Sequence, residues 1–177
     1  MIKLIPVISS QDIRNRVEEI AAQISIDYMD KDLVLVGILK GSFIFLSDLT
    51  RAITIDHAID LVGTSSYIGT DTTGIIEFTK KLDIDISGRH ILLIEDIVDT
   101  GNTLAALIQY FISLHPASIK ICTLIDKKER RELTVTVDYA CFTIEKGFIV
   151  GYGLDYNEKY RNLPAIFDLK FEDTSTA

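Results

Sequence analysis

Basic residues, sulfur and long apolar runs are all scarce in this chain, and each shortage removes a class of protein. Lysine and arginine number 18 against 26 acids, giving a net charge of −8 and a pI near 4.8. So acidic a surface disfavours nucleic acid as a partner, although a small basic site can hide within it. The two cysteines, Cys122 and Cys141, each sit inside an apolar, strand-like run, the pattern of core thiols rather than of a disulfide or a metal pair. His57, His90 and His115 lack ligand spacing. No apolar run approaches the roughly 18 residues of a membrane-crossing helix, and no signal segment is visible, so a cytoplasmic protein that meets no membrane is expected. Repeats, low-complexity tracts, linkers and a P-loop are also missing. The 177 residues therefore read as a single domain over 1–177, long enough to bury about 70% of its unfolded surface.

What is present centres on one stretch, residues 91–104. Ile91, Leu92, Leu93 and Ile94 read as a strand buried on both faces. Glu95 and Asp96 follow where that strand should end, then a short loop with Asp99, Thr100, Gly101, Asn102 and Thr103. A helical pattern takes over at Leu104, Leu107, Ile108, Phe111 and Ile112. In an open α/β sheet this strand–loop–helix unit is where ligands bind.

The loop suits a phosphate. Gly101 permits a sharp turn and close approach of backbone N–H groups, Thr100 and Thr103 add hydroxyl donors, and the helix beginning near Asn102 presents its free N–H groups. The two acids suit sugar hydroxyls or Mg²⁺ instead. Unit charges about 4 Å apart interact by roughly 4 kcal/mol at an effective dielectric of 20, so such a pair needs a cation, hydroxyl donors or separation. Because successive strand side chains point to opposite faces, both acids are expected to reach one ligand only at the strand's end.

The rest of the chain repeats this logic. Ser9 and Asp12 stand at capping-box spacing before a helical stripe of Ile13, Val17, Ile20, Ala21 and Ile24. A second buried strand over residues 33–38 leads through Lys40, Gly41 and Ser42 into a helical pattern of Phe43, Leu46, Leu49 and Ile53. Residues 61–67 and 75–82 read as strands around a small, polar, glycine-bounded connection at 68–74, either a plain hairpin loop or a lid. Further strands are expected at 118–125, 139–144 and 148–151, with a polar, aromatic segment at 154–161. Strands alternating with helices imply an α/β fold with a mostly parallel sheet and a ligand at the strands' C-terminal ends.

The string at 91–104 closely resembles the phosphoribosyl-diphosphate (PRPP) signature of type I phosphoribosyltransferases. Four more stretches resemble, in order, the hypoxanthine/guanine phosphoribosyltransferase family: Leu39-Lys40-Gly41, Ser65-Ser66-Tyr67, Leu124-Ile125-Asp126-Lys127, and Phe148 through Asp155 and Tyr156 to Arg161. One departure stands out. Where relatives usually carry isoleucine, proline and an acid or amide before the stacking phenylalanine, this chain has Ile144-Glu145-Lys146-Gly147.

The resemblance implies the type I phosphoribosyltransferase fold, with a small hood built from N- and C-terminal segments and a flexible lid carrying Ser66 and Tyr67. It also implies purine salvage: Mg²⁺-dependent transfer of 5-phosphoribosyl from PRPP to N9 of hypoxanthine or guanine, giving a nucleotide monophosphate and diphosphate. Glu95 and Asp96 would hold the ribose hydroxyls directly or through Mg²⁺, and Asp99 to Thr103 the 5′-phosphate. Asp99 would move the proton at purine N7. Lys40 and Gly41 would form the diphosphate loop, with a non-proline cis peptide, helped by Arg161 and more weakly by Arg131. Lys127, a donor only, would read the 6-oxo group. Phe148 would stack on the base, and carbonyls near Ile149 and Asp155 would read its 2-position. Asp155 would bind a second Mg²⁺ on the diphosphate. Relatives are dimers or tetramers, so a homodimer or homotetramer is expected. Two rivals remain: a PRPP-sensing, nucleic-acid-binding regulator on the same fold, which the net charge opposes, and transfer to another base such as xanthine.

Overall fold

Ser9 separates the first strand from the first helix. Its hydroxyl oxygen accepts from the N–H of Asp12 at 3.1 Å, capping a free donor of the first turn. The computed structural model describes residues 2–65 and 77–171. Through them the chain runs β1 (Ile2–Ile8), α1 (Ser10–Asp27), β2 (Leu33–Leu39), α2 (Phe43–Ala52), β3 (His57–Ser65) and β4 (Glu77–Lys80). It continues with β5 (His90–Val98), α3 (Asn102–Ile112), β6 (Ser118–Lys127), β7 (Tyr139–Ile144), β8 (Ile149–Val150) and β9 (Ile166–Phe171).

The main sheet has the order β4-β3-β2-β5-β6-β7. Its five strands from β3 to β7 in that order are parallel, and only β4 is antiparallel. The aliphatic runs seen in the sequence are the two central strands, and Val34, Leu35, Leu92 and Leu93 are fully buried. Helices cover both faces. The stripe of α1 and Phe45, Leu46 and Leu49 of α2 pack on one side with Leu92 and Ile94. On the other, Leu104, Leu107 and Phe111 of α3 pack with Ile91 and Leu93. Cys122 and Cys141 are both buried and unpaired, as expected of core thiols, and burial pushes both thiols well above the usual range. Among the described residues no helix is long and apolar enough to cross a membrane.

A second sheet, β1-β9-β8, is antiparallel and joins the two ends of the chain. The periodicity of the sequence does not announce β1 or β9, because β1 leaves Ile2, Ile5 and Val7 exposed and shows no inward-facing alternation.

Asp60, on β3, pins the return from the segment after β4. Its carboxylate accepts from the N–H groups of Leu61 (2.7 Å), Asp83 (2.7 Å) and Ile84 (2.9 Å) and from Lys80 Nζ (3.3 Å). Burial pushes the carboxyl up, but these donors outweigh it and hold it below its ordinary value near 3.8. Its contribution is thus fully present above that value and is lost as the pH falls through the lower folded value. Asp60→Asn is expected to cost about 2–3 kcal/mol near neutral pH. Urea melts should show the deficit narrowing as the pH falls below about 4.

Candidate active site

The C-terminal end of β5 carries the two acids, and the structure corrects the expectation drawn from strand alternation. Glu95 and Asp96 lie inside β5, before its end at Val98. Leu92, Ile94 and Ile97 pack on one face, while Ile91, Leu93 and Val98 pack on the other, so alternation is broken between Ile94 and Ile97. The two carboxyl groups lie close enough to shift each other. Burial, then the Asp96 charge, pushes Glu95 well above the usual carboxyl range. Burial also raises Asp96, against the N–H of Ile97 at 2.9 Å, the Glu95 carboxyl group and the Arg161 charge.

Glu95 Oε2 is buried with no hydrogen-bond partner. Such an oxygen needs a donor or a cation. Among the described residues no three acid, histidine or cysteine side chains form a metal cage. A carboxylate pair without a cage fits Mg²⁺, which keeps several waters and takes further oxygens from a phosphorylated substrate.

The loop between β5 and α3 borders a recess of about 200 Å³, lined by Glu95, Asp99, Thr100, Gly101, Thr103 and the end of β2. Gly101 adopts φ +87, and a Cβ there would stand 2.7 Å from the carbonyl oxygen of Leu133. Gly101 at the N-cap has no side chain to cap α3; the N–H of Asn102 meets Thr100 Oγ1 at 3.4 Å, and the next N–H groups of the first turn suit an anion. Asp99 Oδ1 is buried without a partner, and its Oδ2 lies 3.5 Å from Arg130 Nη1.

Arg131, expected as a weaker diphosphate contact, is held to backbone carbonyls and Asp126. Its Nε donates to the carbonyl of Asp99 (2.9 Å), and its Nη2 to those of Val98 (2.8 Å) and Lys127 (3.0 Å) and to Asp126 Oδ1 (2.6 Å). A planar fork holding several oxygens at once is what arginine does well. Here it braces the loop between β5 and α3 from behind, assisted by the N–H groups of Glu132 and Leu133 on the carbonyl of Thr100.

Across the recess the Leu39–Lys40 peptide is cis, and Gly41 lies wedged between two neighbours. A Cβ on Gly41 would fall 1.7 Å from Asp96 Oδ2, and one on Gly153 would fall 2.1 Å from the carbonyl oxygen of Gly41. Arg161 donates to the carbonyl of Gly153 at 2.7 Å and pairs with Asp155 at 2.8 Å. Glu158 bridges the cations, 3.2 Å from Lys40 Nζ and 3.4 Å from Arg161 Nη2. These interactions, Lys40 first, hold the Glu158 carboxyl below its usual range. The second oxygen of Asp155 accepts from the N–H of Glu158.

At the exit of β6 the side chain of Lys127 is 8% exposed, with Glu129 Oε2 at 3.4 Å. Phe148 is 48% exposed and meets Tyr156 edge-on at 5.5 Å, which in turn meets Phe171 at 5.5 Å. Gly147 adopts φ +121, a backbone that suits glycine and gives the departure from the family pattern a local reason. Ile149 is buried in β8, paired with β9. Ser66 and Tyr67, expected on a lid, lie outside the described residues.

The residues singled out in sequence thus form linked groups. Glu95, Asp99, Thr100, Gly101 and Thr103 share the recess. Asp96, Gly41 and Gly153 touch in series, with Arg161 behind them. Sequence reasoning missed Glu129, Arg130 and Glu158. The charge run around Lys127 was the only signal for the first two, and nothing in the linear pattern marks Glu158.

Comparison with known proteins agrees with this geometry. A family model described as a phosphoribosyl transferase domain matches residues 9–157. The hypoxanthine-guanine phosphoribosyltransferase of Streptococcus pneumoniae is 46% identical over 166 residues, 93% of this chain and 92% of that protein. The hypoxanthine phosphoribosyltransferase of Escherichia coli is 44% identical over 162 residues, 90% of this chain and 91% of that one. Among solved structures, a hypoxanthine-guanine phosphoribosyltransferase of Bacillus anthracis, with a HEPES molecule in its active site, superposes with a TM-score of 0.90. It is 41% identical, covering 97% of this chain and all of that one.

Proposed function

The chain belongs to the hypoxanthine-guanine phosphoribosyltransferases, and from that premise we propose how it moves a 5-phosphoribosyl group from PRPP to N9 of a 6-oxopurine in purine salvage. The observation that carries the reading is the meeting of two demands in one place. A buried carboxylate pair with an unpartnered oxygen stands beside an uncapped helix start, so one side attracts a metal or sugar hydroxyls and the other a phosphate.

Thr100 to Thr103 hold the 5′-phosphate through backbone N–H groups and hydroxyls. Glu95 and Asp96 would hold the ribose hydroxyls, directly or through Mg²⁺, and Asp155 would hold a second Mg²⁺ for the diphosphate. When bound, Mg²⁺ supplies positive charge that stabilises the leaving diphosphate. Lys40, the N–H groups beside Gly41, and Arg161 supply the rest of that stabilisation, already in position before reaction. Asp99 takes the proton from purine N7 as N9 bonds to ribose C1 and the bond from C1 to diphosphate breaks. Phe148 gives the base a face to stack on, Lys127 donates to its 6-oxo group, and carbonyls near Ile149 and Asp155 read its 2-position. An amino group at position 6 would leave the buried ammonium of Lys127 facing another donor. Ser66 and Tyr67 belong to a lid that keeps water from the reactive sugar. The small β1-β9-β8 sheet is the hood over the base. The protein works in the cytoplasm as a homodimer or homotetramer, supported by the exposed apolar side chains of Ile26, Met29 and Phe43.

The test offers hypoxanthine, guanine, xanthine and adenine separately with Mg-PRPP. Hypoxanthine, guanine or both are expected to turn over at least about 100-fold faster than adenine, the discrimination a buried donor provides. Preference for adenine, or no transfer to any of the four, would sink the proposal.

A further inference from the structure

Lysine is a flexible point charge with three rotatable donors, so a lysine that reads a base needs something to aim it. Among the described residues, Glu129 Oε2 at 3.4 Å is the carboxylate paired with Lys127 Nζ. The neighbouring acid Asp126 is taken up by Lys128 and Arg131. The same Glu129 oxygen accepts from the N–H of Gly147 at 3.3 Å, 18 residues along the chain. The next N–H, that of Phe148, is held by Asp168 Oδ1 at 3.2 Å. The backbone entering the exposed ring of Phe148 is therefore tied on one side to the exit of β6 and on the other to β9.

From this we infer that Glu129 is a positioning residue of the base pocket, its carboxylate fixing Lys127 and the Gly147–Phe148 backbone at a set separation, so that the donor and the stacking face meet one purine together. The inference rests on the roles proposed for Lys127 and Phe148. Glu129 does not touch the reacting atoms. Its partner at Gly147 belongs to the stretch where this chain departs from the family pattern, and the φ of +121 there turns that N–H toward the acid.

A double-mutant cycle with Lys127→Ala, Glu129→Ala and both together tests this, with KM for hypoxanthine or guanine, KM for PRPP and kcat measured on the full chain. Glu129→Ala is expected to raise the base KM about five- to tenfold, the scale of one lost half-exposed hydrogen bond, with kcat and the PRPP KM within about twofold. In the Lys127→Ala background the same change should add clearly less, because one of its two partners, Lys127, is gone. Glu129→Gln, which keeps an accepting oxygen, should recover most of the loss. Equal effects of Glu129→Ala in both backgrounds, an unchanged base KM, or a PRPP KM that rises alongside it would overturn the inference while leaving Lys127 as the base reader. A Lys127→Ala variant with native base kinetics would instead remove the proposed role of Lys127, and the inference with it. Circular dichroism melts accompany each variant, so a loss of fold is seen as a lowered Tm.

Discussion

Asp99→Asn lowers kcat by about a thousandfold while the KM for PRPP stays within about threefold: this is the largest effect expected of any single replacement that keeps the fold. General acid–base groups typically contribute about 10²–10⁴ in rate. The amide matches the carboxylate in shape and still offers an oxygen to Arg130, which lies 3.5 Å from Asp99 Oδ2, but it cannot accept a proton at neutral pH. The neighbouring phosphate loop should be untouched. Its supports are the carbonyls of Val98, Asp99 and Thr100, gripped by Arg131, Glu132 and Leu133, and none of these depends on the Asp99 side chain. Steady-state kinetics over a range of PRPP and base concentrations separates the two constants. Turnover within threefold of the native protein would take proton transfer away from Asp99.

Gly153→Ala is expected to be the most damaging replacement outside the reacting groups. At φ +106 an alanine is strained, and its methyl carbon would stand 2.1 Å from the carbonyl oxygen of Gly41. A side chain can swing away from such a clash, but a backbone carbonyl moves only with its turn. The strain and displacement together should cost about 2–4 kcal/mol of stability, read as a lower urea midpoint. Because Gly41 adjoins Lys40 and presses on Asp96, the same shift should weaken PRPP binding by at least about tenfold, measured calorimetrically on the folded variant. Native PRPP affinity in Gly153→Ala would mean that the Lys40–Gly41 turn has no part in holding the diphosphate.

The parts of the site that were legible in sequence are those written contiguously. Residues 91–104 hold a strand, a turn and a helix start in one run, and each step of that unit follows from local rules: buried aliphatics, a glycine where the backbone turns left-handed, an uncapped helix. The two central strands and the three helices were visible for the same reason. Strand alternation misled, because it assumes a regular strand and β5 is irregular just at its acids. Contacts made by long side chains reaching between distant loops could not be read at all. Arg131 grips carbonyls 32 and 33 residues away, and Glu158 meets a lysine 118 residues away. Their partners are fixed by how turns stack in space, which no periodicity encodes. Of the small sheet only β8 was legible; β1 and β9 escaped because β1 leaves apolar side chains exposed and the two strands pair across most of the chain.

Glu158 has a consequence for how the enzyme turns over. Where Lys40 and Arg161 take the diphosphate as proposed, they do so from behind a carboxylate of the protein's own, since Glu158 already pairs with both. On that proposal an incoming diphosphate would displace this internal counter-ion, and a departing one would be succeeded by it. Loading and unloading thus become ion exchange at a fixed pair of charges. Such an arrangement gives up some affinity and in return lets go of a strongly anionic product without leaving the pocket electrically exposed.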